Sequence, residues 1–330
     1  GEYINAHGGG ILLFDSKYYW FGEHRPAKGF STEVGVTCYS STDLCNWRYE
    51  GVALSVSEEA GNEIEKGCIM ERPKVIYNKR TKKFVMWFHL ELKGKGYEAA
   101  RAGVAVSDSP TGPYRFVSSS RVCPGIFPLN MTEEERDMQW NMEQFEEWWT
   151  PEWREAVNKG LFVKRDLEGG QMSRDMTLYV DDDGIAYHIY SSEENLTLQI
   201  AELTDDYQGH SGKYVRLFPG GHNEAPAIFK KDGTYWMITS GCTGWDPNVA
   251  ELAVADSIMG QWTTIGNPCT GPDADKTFYA QSTYVQQVYG KGNAYIAMFD
   301  RWNKKDLENS RYVWLPFSFE GDKITIPWRD

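Results

Sequence analysis

Short runs of apolar residues recur along the chain, and polar turns separate one run from the next. The runs are rich in Val, Ile, Tyr and Phe and lack the spacing of an amphipathic helix, so they predict β-strands. Asp-Gly and Gly-Asn pairs stand between several of them and are typical of hairpin turns. The chain is therefore expected to fold as a series of antiparallel hairpins.

The predicted strands group into a unit that occurs five times: a polar loop residue, a short apolar strand, a turn, an aromatic-rich strand, a third strand and a more polar fourth. The first three strands of the units are predicted at 6–14, 18–22 and 34–41; 71–77, 84–88 and 102–109; 174–180, 186–190 and 198–203; 223–229, 235–239 and 250–257; and 280–285, 294–299 and 311–317. Five units of four strands predict an all-β fold, a five-bladed β-propeller whose closed ring leaves few open edges. We expect residues 1–330 to form one such domain, with 322–328 pairing with the N-terminal segment to close the ring.

One segment, 126–170, interrupts the repeat between the second and third blades. Thr132 and Glu135 have the spacing of a capping box, and the apolar residues within 137–148 predict a short amphipathic helix after it. Pro151 marks the start of a second helix. The segment is thus predicted to be a helical insertion, which either walls one side of the propeller mouth or decorates the surface.

Composition narrows the ligand class. Aromatic residues make up 14% of the chain, an excess that serves sheet cores or platforms for flat ligands such as sugar rings. The formal net charge of −13 disfavours nucleic acid and anionic membranes and is compatible with a neutral carbohydrate. No apolar stretch is long enough to span a bilayer, so no membrane span is expected.

The six cysteines form no C-x-x-C pair, so a zinc site is not expected. Cys38 and Cys45 have a spacing that allows a bridge across a hairpin, whereas buried free thiols are the alternative. The sequence leaves this choice open.

Polar residues at the start of the first strand of each blade are expected to converge, because these strands line the axis of a propeller. The converging residues are predicted to be His7, Glu71, Arg72, Arg174, Asp175, Asn223, Glu224 and Gln281. Carboxylates that converge beside aromatic residues suit cleavage of a glycosidic bond, in which one acid protonates the leaving oxygen. Glu224 is the candidate acid, a role that requires partial burial to raise its pKa.

Several phrases, in order along the whole chain, carry a resemblance to a known family. They are A-H-G-G-G-I-L at 6–12, Y-Y-W-F-G-E-H at 18–24, E-R-P-K-V at 71–75, D-M-T-L-Y-V-D-D-D-G-I-A-Y at 175–187, N-E-A-P-A-I-F at 223–229, Y-W-M-I-T-S-G-C-T-G-W at 235–245 and A-Q-S-T-Y-V at 280–285. Together they resemble glycoside hydrolase family 43, a group of inverting five-bladed propeller enzymes. They look most like its exo-β-1,3-galactanase subgroup.

The resemblance implies roles for particular residues. Glu224 would be the general acid, Gln281 the group that positions water, and Asp175 the residue that orients and tunes the acid. The positions that match those holding the terminal galactose are Glu23, Glu71, Tyr97 and Thr243. Trp245 lies close to Thr243 in the sequence and is our own candidate for stacking on the sugar.

The chain departs from the wider family where most members carry an Asp general base in the first blade. Here that stretch begins at His7 and continues with three glycines, as is typical of the galactanase subgroup. A neutral amide such as that of Gln281 is a poor base, although inversion needs a group that takes a proton from water. Either the amide acts as its imidic acid tautomer, or Glu71 or Glu23 supplies the basicity indirectly.

The resemblance therefore implies an enzyme that releases terminal galactose from β-1,3-galactan or an arabinogalactan backbone. The alternatives are an α-L-arabinofuranosidase of the same family and a sugar-binding propeller without turnover. No cofactor is required and no metal site is predicted, although a structural cation on the propeller axis stays open. We expect a monomer that meets its polysaccharide outside the cytoplasm, in the periplasm or secreted.

Overall fold

The computed structural model describes residues 3–321 and 323–329, and its strands form five consecutive antiparallel sheets. Blade 1 contains β1 (His7–Phe14), β2 (Lys17–Glu23), β3 (Gly35–Ser41) and β4 (Arg48–Ser55). Blade 2 contains β5 (Ile69–Asn78), β6 (Lys83–Glu91), β7 (Arg101–Ser107) and β8 (Arg115–Ser120). Blade 3, after an insertion with α1 (Glu133–Asp137), α2 (Pro151–Asn158) and α3 (Leu161–Arg165), contains β9 (Met176–Val180), β10 (Ala186–Ser192), β11 (Thr197–Leu203) and β12 (His210–Leu217).

The remaining strands complete the ring. Blade 4 contains β13 (Glu224–Lys231), β14 (Thr234–Ser240), β15 (Glu251–Ala255) and β16 (Thr263–Gly266), and the short β17 (Cys269–Thr270) follows it. Blade 5 contains β18 (Gln281–Gln287), β19 (Tyr295–Arg301) and β20 (Arg311–Phe317). The short strands β21 (Phe319–Glu320), β22 (Lys323–Ile324) and β23 (Ile326–Pro327) end the described chain.

The innermost strands β1, β5, β9, β13 and β18 contact one another in order, and β18 also contacts β1. A separate apolar cluster fills the space between each blade and the next. Phe21 packs with Phe88 between blades 1 and 2, and Trp20 lies in one cluster with Met298 between blades 1 and 5. The five-bladed β-propeller predicted from the sequence is confirmed.

Ring closure differs from the prediction. Blade 5 has three strands, and β23 pairs in parallel with β17, with Ile326 opposite Cys269. The expectation that 322–328 pairs with the N-terminal segment is wrong, and Asp322 itself lies outside the described residues. Ile326 is fully buried in the apolar cluster between blades 4 and 5, which explains why the strand lies there.

Side-chain hydrogen bonds, rather than a strand, join blade 5 to the segment before β1. The Tyr312 hydroxyl donates to the carbonyl oxygen of Ile4 at 2.9 Å and accepts from the Ala6 amide at 3.0 Å. Tyr312 also stacks on His7, with ring centroids 4.9 Å apart. The junction between the last blade and the first is therefore held by a partly buried aromatic residue.

The insertion begins as predicted and then departs from the prediction. Thr132 and Glu135 form the reciprocal bonds of a capping box at the start of α1. The helix ends at Asp137, and a separate single turn at 142–144 begins at Asn141, so the amphipathic helix expected over 137–148 is wrong. The Asn141 side chain bonds to the Glu143 amide and thereby starts a new turn where a longer helix would have continued.

A buried arginine fastens the insertion to blade 3. Arg216 of β12 donates to the carbonyl oxygens of Val157 and Asn158 at the end of α2, at 2.9 Å each. The same guanidinium pairs at 2.7 Å with the fully buried Glu193, which lies in the loop between β10 and β11. The insertion therefore supports a blade-3 loop, and within the described residues it does not line the central cavity.

Four innermost strands share an irregularity at the same place. The pairing register shifts just after His7 in β1, Glu71 in β5, Glu224 in β13 and Ser282 in β18. At these bulges Arg72 has a φ of +55° and Ala225 a φ of +51°, in the left-handed region that a non-glycine residue rarely adopts. Bulges re-aim side chains beside active sites, and here they separate the residues at the mouth from the regular ladder.

The three glycines after His7 have a local cause. Gly8 occupies the same bulge with a φ of +60°, and a Cβ on Gly9 would lie 1.6 Å from the Phe21 carbonyl oxygen. Gly9 thus permits the close approach of β1 and β2, whereas a Cβ on Gly10 would lie 2.6 Å from Lys74 and 2.9 Å from Tyr284.

All six cysteines are free, with Cys38 buried and Cys45 exposed, so the two are not bridged. A search of the helices in the described part of the chain finds none long and apolar enough to cross a membrane.

Candidate active site

A cavity of about 280 Å³ opens where the innermost strands begin. This volume lies just below the range for small-molecule sites, roughly 300–1,000 Å³. Its lining contains most of the residues predicted from the sequence together with several others. The lining residues are Arg25, Glu71, Arg72, His89, Tyr97, Arg174, Asp175, Asn195, Glu224, Cys242, Gly244, Trp245, Gln281 and Trp302.

Glu224 stands at the first position of β13, immediately before the bulge at Ala225. Its Oε1 accepts a hydrogen bond from Asn195 Nδ2 at 2.8 Å, and the Cys242 thiol also bonds to it. Burial, followed by repulsion from Asp175, raises the pKa of Glu224 to about 8. The carboxyl is therefore protonated at neutral pH, as a general acid must be.

Asp175 and Arg72 form an ion pair beside the acid. Arg72 donates from Nε to Asp175 Oδ1 at 3.0 Å, and its Nη2 lies 2.8 Å from Oδ2. The Ala225 amide donates to the same Oδ2 at 3.1 Å. The Asp175 carboxylate is thus held against the backbone of the residue that follows Glu224. From there its negative charge acts on the Glu224 carboxyl through space.

Gln281, the first residue of β18, lies on the other side of Arg72. Its Oε1 accepts from Arg72 Nη2 at 2.5 Å and from Trp302 Nε1 at 3.0 Å. Its Nε2 donates to Ser240 Oγ at 3.0 Å. The structure therefore brings Glu224, Asp175 and Gln281 together around one arginine, as the sequence predicted.

Glu71 belongs to a buried chain of charges along one wall. Its Oε1 accepts from Arg25 at 2.9 Å and from the Tyr97 hydroxyl at 3.0 Å, while Oε2 lies 3.2 Å from His89 Nδ1. Burial alone would raise the pKa of Glu71, but Arg25 and His89 outweigh it and hold the pKa below its ordinary value. Burial would lower the pKa of His89, yet its bonds to Glu71 and Glu91 raise it to about 9.

Glu23 lies behind this wall and does not line the cavity. It is 1% exposed, and its Oε1 bonds to Arg25 at 3.0 Å. Burial, reinforced by repulsion from Glu71 and opposed by Arg25, raises the pKa of Glu23 to about 8. Direct contact of Glu23 with a sugar remains a prediction from the resemblance.

Two indoles, those of Trp245 and Trp302, pack beside Arg25, the same arginine that pairs with Glu71. The Arg25 guanidinium lies 5.6 Å from the Trp245 ring centroid and 5.4 Å from that of Trp302, and the two rings meet edge to face at 5.3 Å. Trp245 thus faces the cavity, as a platform for a sugar requires. Thr243 instead donates to the Asp246 carbonyl at 2.6 Å within the same loop and does not reach the lining, so its role stays a prediction.

Two other residues expected at the mouth lie beneath it. His7 is fully buried with its Nδ1 3.7 Å from Asp300, and Asn223 is 5% exposed and bonds to Thr239 and Glu251. Their side chains support the inner strands and are absent from the cavity lining.

The residues missed at the sequence level share a simple origin. In an antiparallel hairpin the end of the second strand lies opposite the start of the first. The register pairs Glu71 with His89 and Glu224 with Ser240 in this way, and Trp302 directly follows β19. Polar and aromatic residues at the ends of the second strands were therefore the available signal.

Within the described residues no group of three or more His, Cys, Asp or Glu side chains is arranged to hold a metal ion. Lys74 Nζ donates to the carbonyl oxygen of Gly8 at 2.8 Å, between β5 and β1. A structural cation on the propeller axis, which the sequence left open, is still to be tested.

Comparison with known proteins adds an independent observation. The family model described as glycosyl hydrolases family 43 matches residues 134–309. A β-1,3-galactosidase solved with galactodeoxynojirimycin is 69% identical, with 99% of this chain and 95% of that chain covered and a TM-score of 0.97. No curated protein matches at a significant level.

Two further solved structures are similar over part of their length. An exo-β-1,3-galactanase from Clostridium thermocellum is 35% identical over 99% of this chain and 62% of its own, with a TM-score of 0.79. An exo-β-1,3-galactanase from Phanerochaete chrysosporium, solved with β-1,3-galactotriose, is 31% identical over 99% of this chain and 63% of its own, with a TM-score of 0.77. The chain thus spans less than two thirds of these two proteins.

Proposed function

Since the chain belongs to glycosyl hydrolases family 43, we propose that it is an inverting, exo-acting enzyme that releases terminal galactose from β-1,3-galactan or an arabinogalactan backbone. The observation that carries the proposal is Glu224, a carboxyl whose pKa is raised to about 8 inside a cavity of about 280 Å³. A small cavity beside one protonated acid suits removal of a single end unit.

The proposed reaction is a single displacement. The oxygen of a water molecule forms a bond to the anomeric carbon while the bond from that carbon to the glycosidic oxygen breaks. Glu224 gives its proton to the departing oxygen, and the water gives one of its protons to a base. Asp175 keeps Glu224 protonated until the substrate arrives, because its negative charge disfavours a second carboxylate nearby.

Recognition of the sugar is assigned to Glu71, Tyr97 and Trp245 of the cavity lining. Glu71, held as a carboxylate by Arg25 and His89, accepts hydrogen bonds from sugar hydroxyls, and Tyr97 beside it can donate or accept. Trp245 offers its ring to the apolar face of the pyranose. The names of the similar structures, which refer to β-1,3-linked galactose, support galactose over arabinose as the released sugar.

The test is product analysis on β-1,3-galactan, arabinogalactan and arabinan. The parent protein is compared with Glu224→Gln and with Glu146→Gln, a control that removes the same charge at an exposed position of the insertion. We expect the parent and the control to release galactose one unit at a time, initially as the α-anomer, and Glu224→Gln to release it at least about 100-fold more slowly. Arabinose as the product would move the protein to the arabinofuranosidase alternative, and binding without any product would favour a sugar-binding propeller.

The same proposal places the enzyme outside the cytoplasm, where polysaccharide chains are met, and assigns no cofactor to the reaction. Proton transfer by Glu224 and attack by water need no metal or organic group. Cell fractionation of the native source tests the location. Recovery of the activity only in the cytoplasmic fraction would contradict it.

A further inference from the structure

The side-chain amide of Gln281 is held by three partners. Its oxygen accepts from Arg72 Nη2 at 2.5 Å and Trp302 Nε1 at 3.0 Å, and its nitrogen donates to Ser240 Oγ at 3.0 Å. Arginine and the indole nitrogen of tryptophan are donors only. Turning the amide over would set its N–H groups against two donors, so one orientation alone satisfies the site.

Trp302 has little freedom to move away from this contact. Its ring packs edge to face on Trp245 at 5.3 Å and lies under two guanidinium groups, with centroid distances of 5.4 Å to Arg25 and 5.7 Å to Arg72. Contacts of a cation with an aromatic face fix the plane of the ring. These neighbours, on the face and at the edge of the ring, therefore hold the indole N–H of Trp302 in the direction of Gln281.

The same contacts decide the chemical form of the amide. An imidic acid tautomer would carry a hydrogen on Oε1, and that hydrogen would point at groups that have no lone pair to accept it. That hydrogen would be left without an acceptor at an energetic cost, whereas the amide form satisfies both donors.

We propose that Gln281 works as an ordinary amide and that Trp302 is the positioning residue that fixes it in this form, an inference that rests on the proposed function. One Gln281 N–H bonds to Ser240, and the other is left to orient the attacking water by donating to its oxygen. The proton of that water then passes to a carboxylate. Besides the acid, the carboxylates that line this cavity are Glu71 and Asp175.

Kinetics of Trp302→Phe test the positioning role. The phenyl ring keeps an aromatic face for the two arginines but removes the N–H. We expect kcat on β-1,3-galactan to fall about 10-fold, the equivalent of one hydrogen bond, while KM changes less than about 3-fold. Trp148→Phe in the insertion, at an exposed tryptophan outside the cavity, is the matched control and should leave both constants unchanged. An unchanged kcat in Trp302→Phe would overturn the proposal.

Neutron diffraction on the deuterated resting protein tests the tautomer without relying on turnover or on a variant that folds. We expect two deuterons on Gln281 Nε2 and none on Oε1. A deuteron on Oε1 would overturn the inference even if the protein releases galactose. If no galactose is released but the amide carries both deuterons on nitrogen, the proposed function fails while the tautomer assignment stands.

Discussion

Replacing Glu224 with glutamine probes the energetic cost of burying a carboxyl group that can ionise. Burial and the charge of Asp175 raise the pKa of Glu224 from 4.5 to about 8 in the folded protein. Because the folded-state pKa is the higher one, the stability that this group contributes is fully present below pH 4.5 and is lost as the pH rises through 8. The glutamine variant is isosteric and does not titrate, so it escapes this loss.

The magnitude follows from the interval between the two pKa values. From 4.5 to about 8, at about 1.4 kcal/mol for each pH unit, the ceiling is about 5 kcal/mol. Glu224 borders an open cavity, where solvent screens its charge, so we expect about 2 kcal/mol. The Asn195 bond to Oε1 is retained by the glutamine and does not enter the difference.

Urea unfolding of the parent, Glu224→Gln and Glu146→Gln at pH 5 and pH 8.5 measures the effect. Between the two pH values the parent and the control should lose about 2 kcal/mol of stability relative to Glu224→Gln. At the same time kcat of Glu224→Gln should fall by about 10²–10⁴ with galactose binding retained. An identical pH dependence of stability in all three proteins would refute the raised pKa.

Further predictions concern the acid's neighbours, the insertion and the axis. Asp175→Asn should move the alkaline limb of the pH profile of kcat/KM to lower pH, because the charge that helps to raise the pKa of Glu224 is gone; an unmoved limb would contradict this. Arg216→Met should lower the free energy of unfolding by about 3–5 kcal/mol, because it leaves the charge of Glu193 buried and unpaired. In thermal denaturation, the double variant with Glu193→Gln should recover part of this loss. Treatment with EDTA should leave Tm and activity unchanged, because Lys74 already bonds to a backbone carbonyl of blade 1 between two inner strands; a drop in Tm that calcium restores would reveal a structural cation.

The blades could be predicted from the sequence because each is a series of local hairpins. A turn fixes the register of the strands beside it, and alternation along the strands identifies the buried faces. The partner of the C-terminal segment could not be read in this way, since β23 pairs with β17 through burial of Ile326 far along the chain. The helix predicted from the apolar residues after α1 was wrong for the same reason. Those residues pack against α2 and α3 and do not form one helical face.

The candidate site, like the fold, could be predicted from the sequence only in part. Glu224, Asp175 and Gln281 were identified because they begin innermost strands. Trp302 was overlooked although it directly follows β19. Asn195 could not be identified, because it lies in a loop of blade 3 that reaches Glu224 of blade 4. Contacts of this kind depend on strand register and loop path, which composition and spacing do not encode.

The bulge that recurs in four inner strands has an evolutionary consequence. It gives the blades corresponding positions at the starts of their inner strands. Glu71, Glu224 and Gln281 line the cavity from such positions, and His7 lies beneath it. A duplicated unit that already points one side chain at a common centre lets selection change the chemistry by single substitutions, without remodelling a loop. A catalytic residue lost from one blade can then be replaced by a residue of another blade, so the fold tolerates changes of its catalytic residues during evolution.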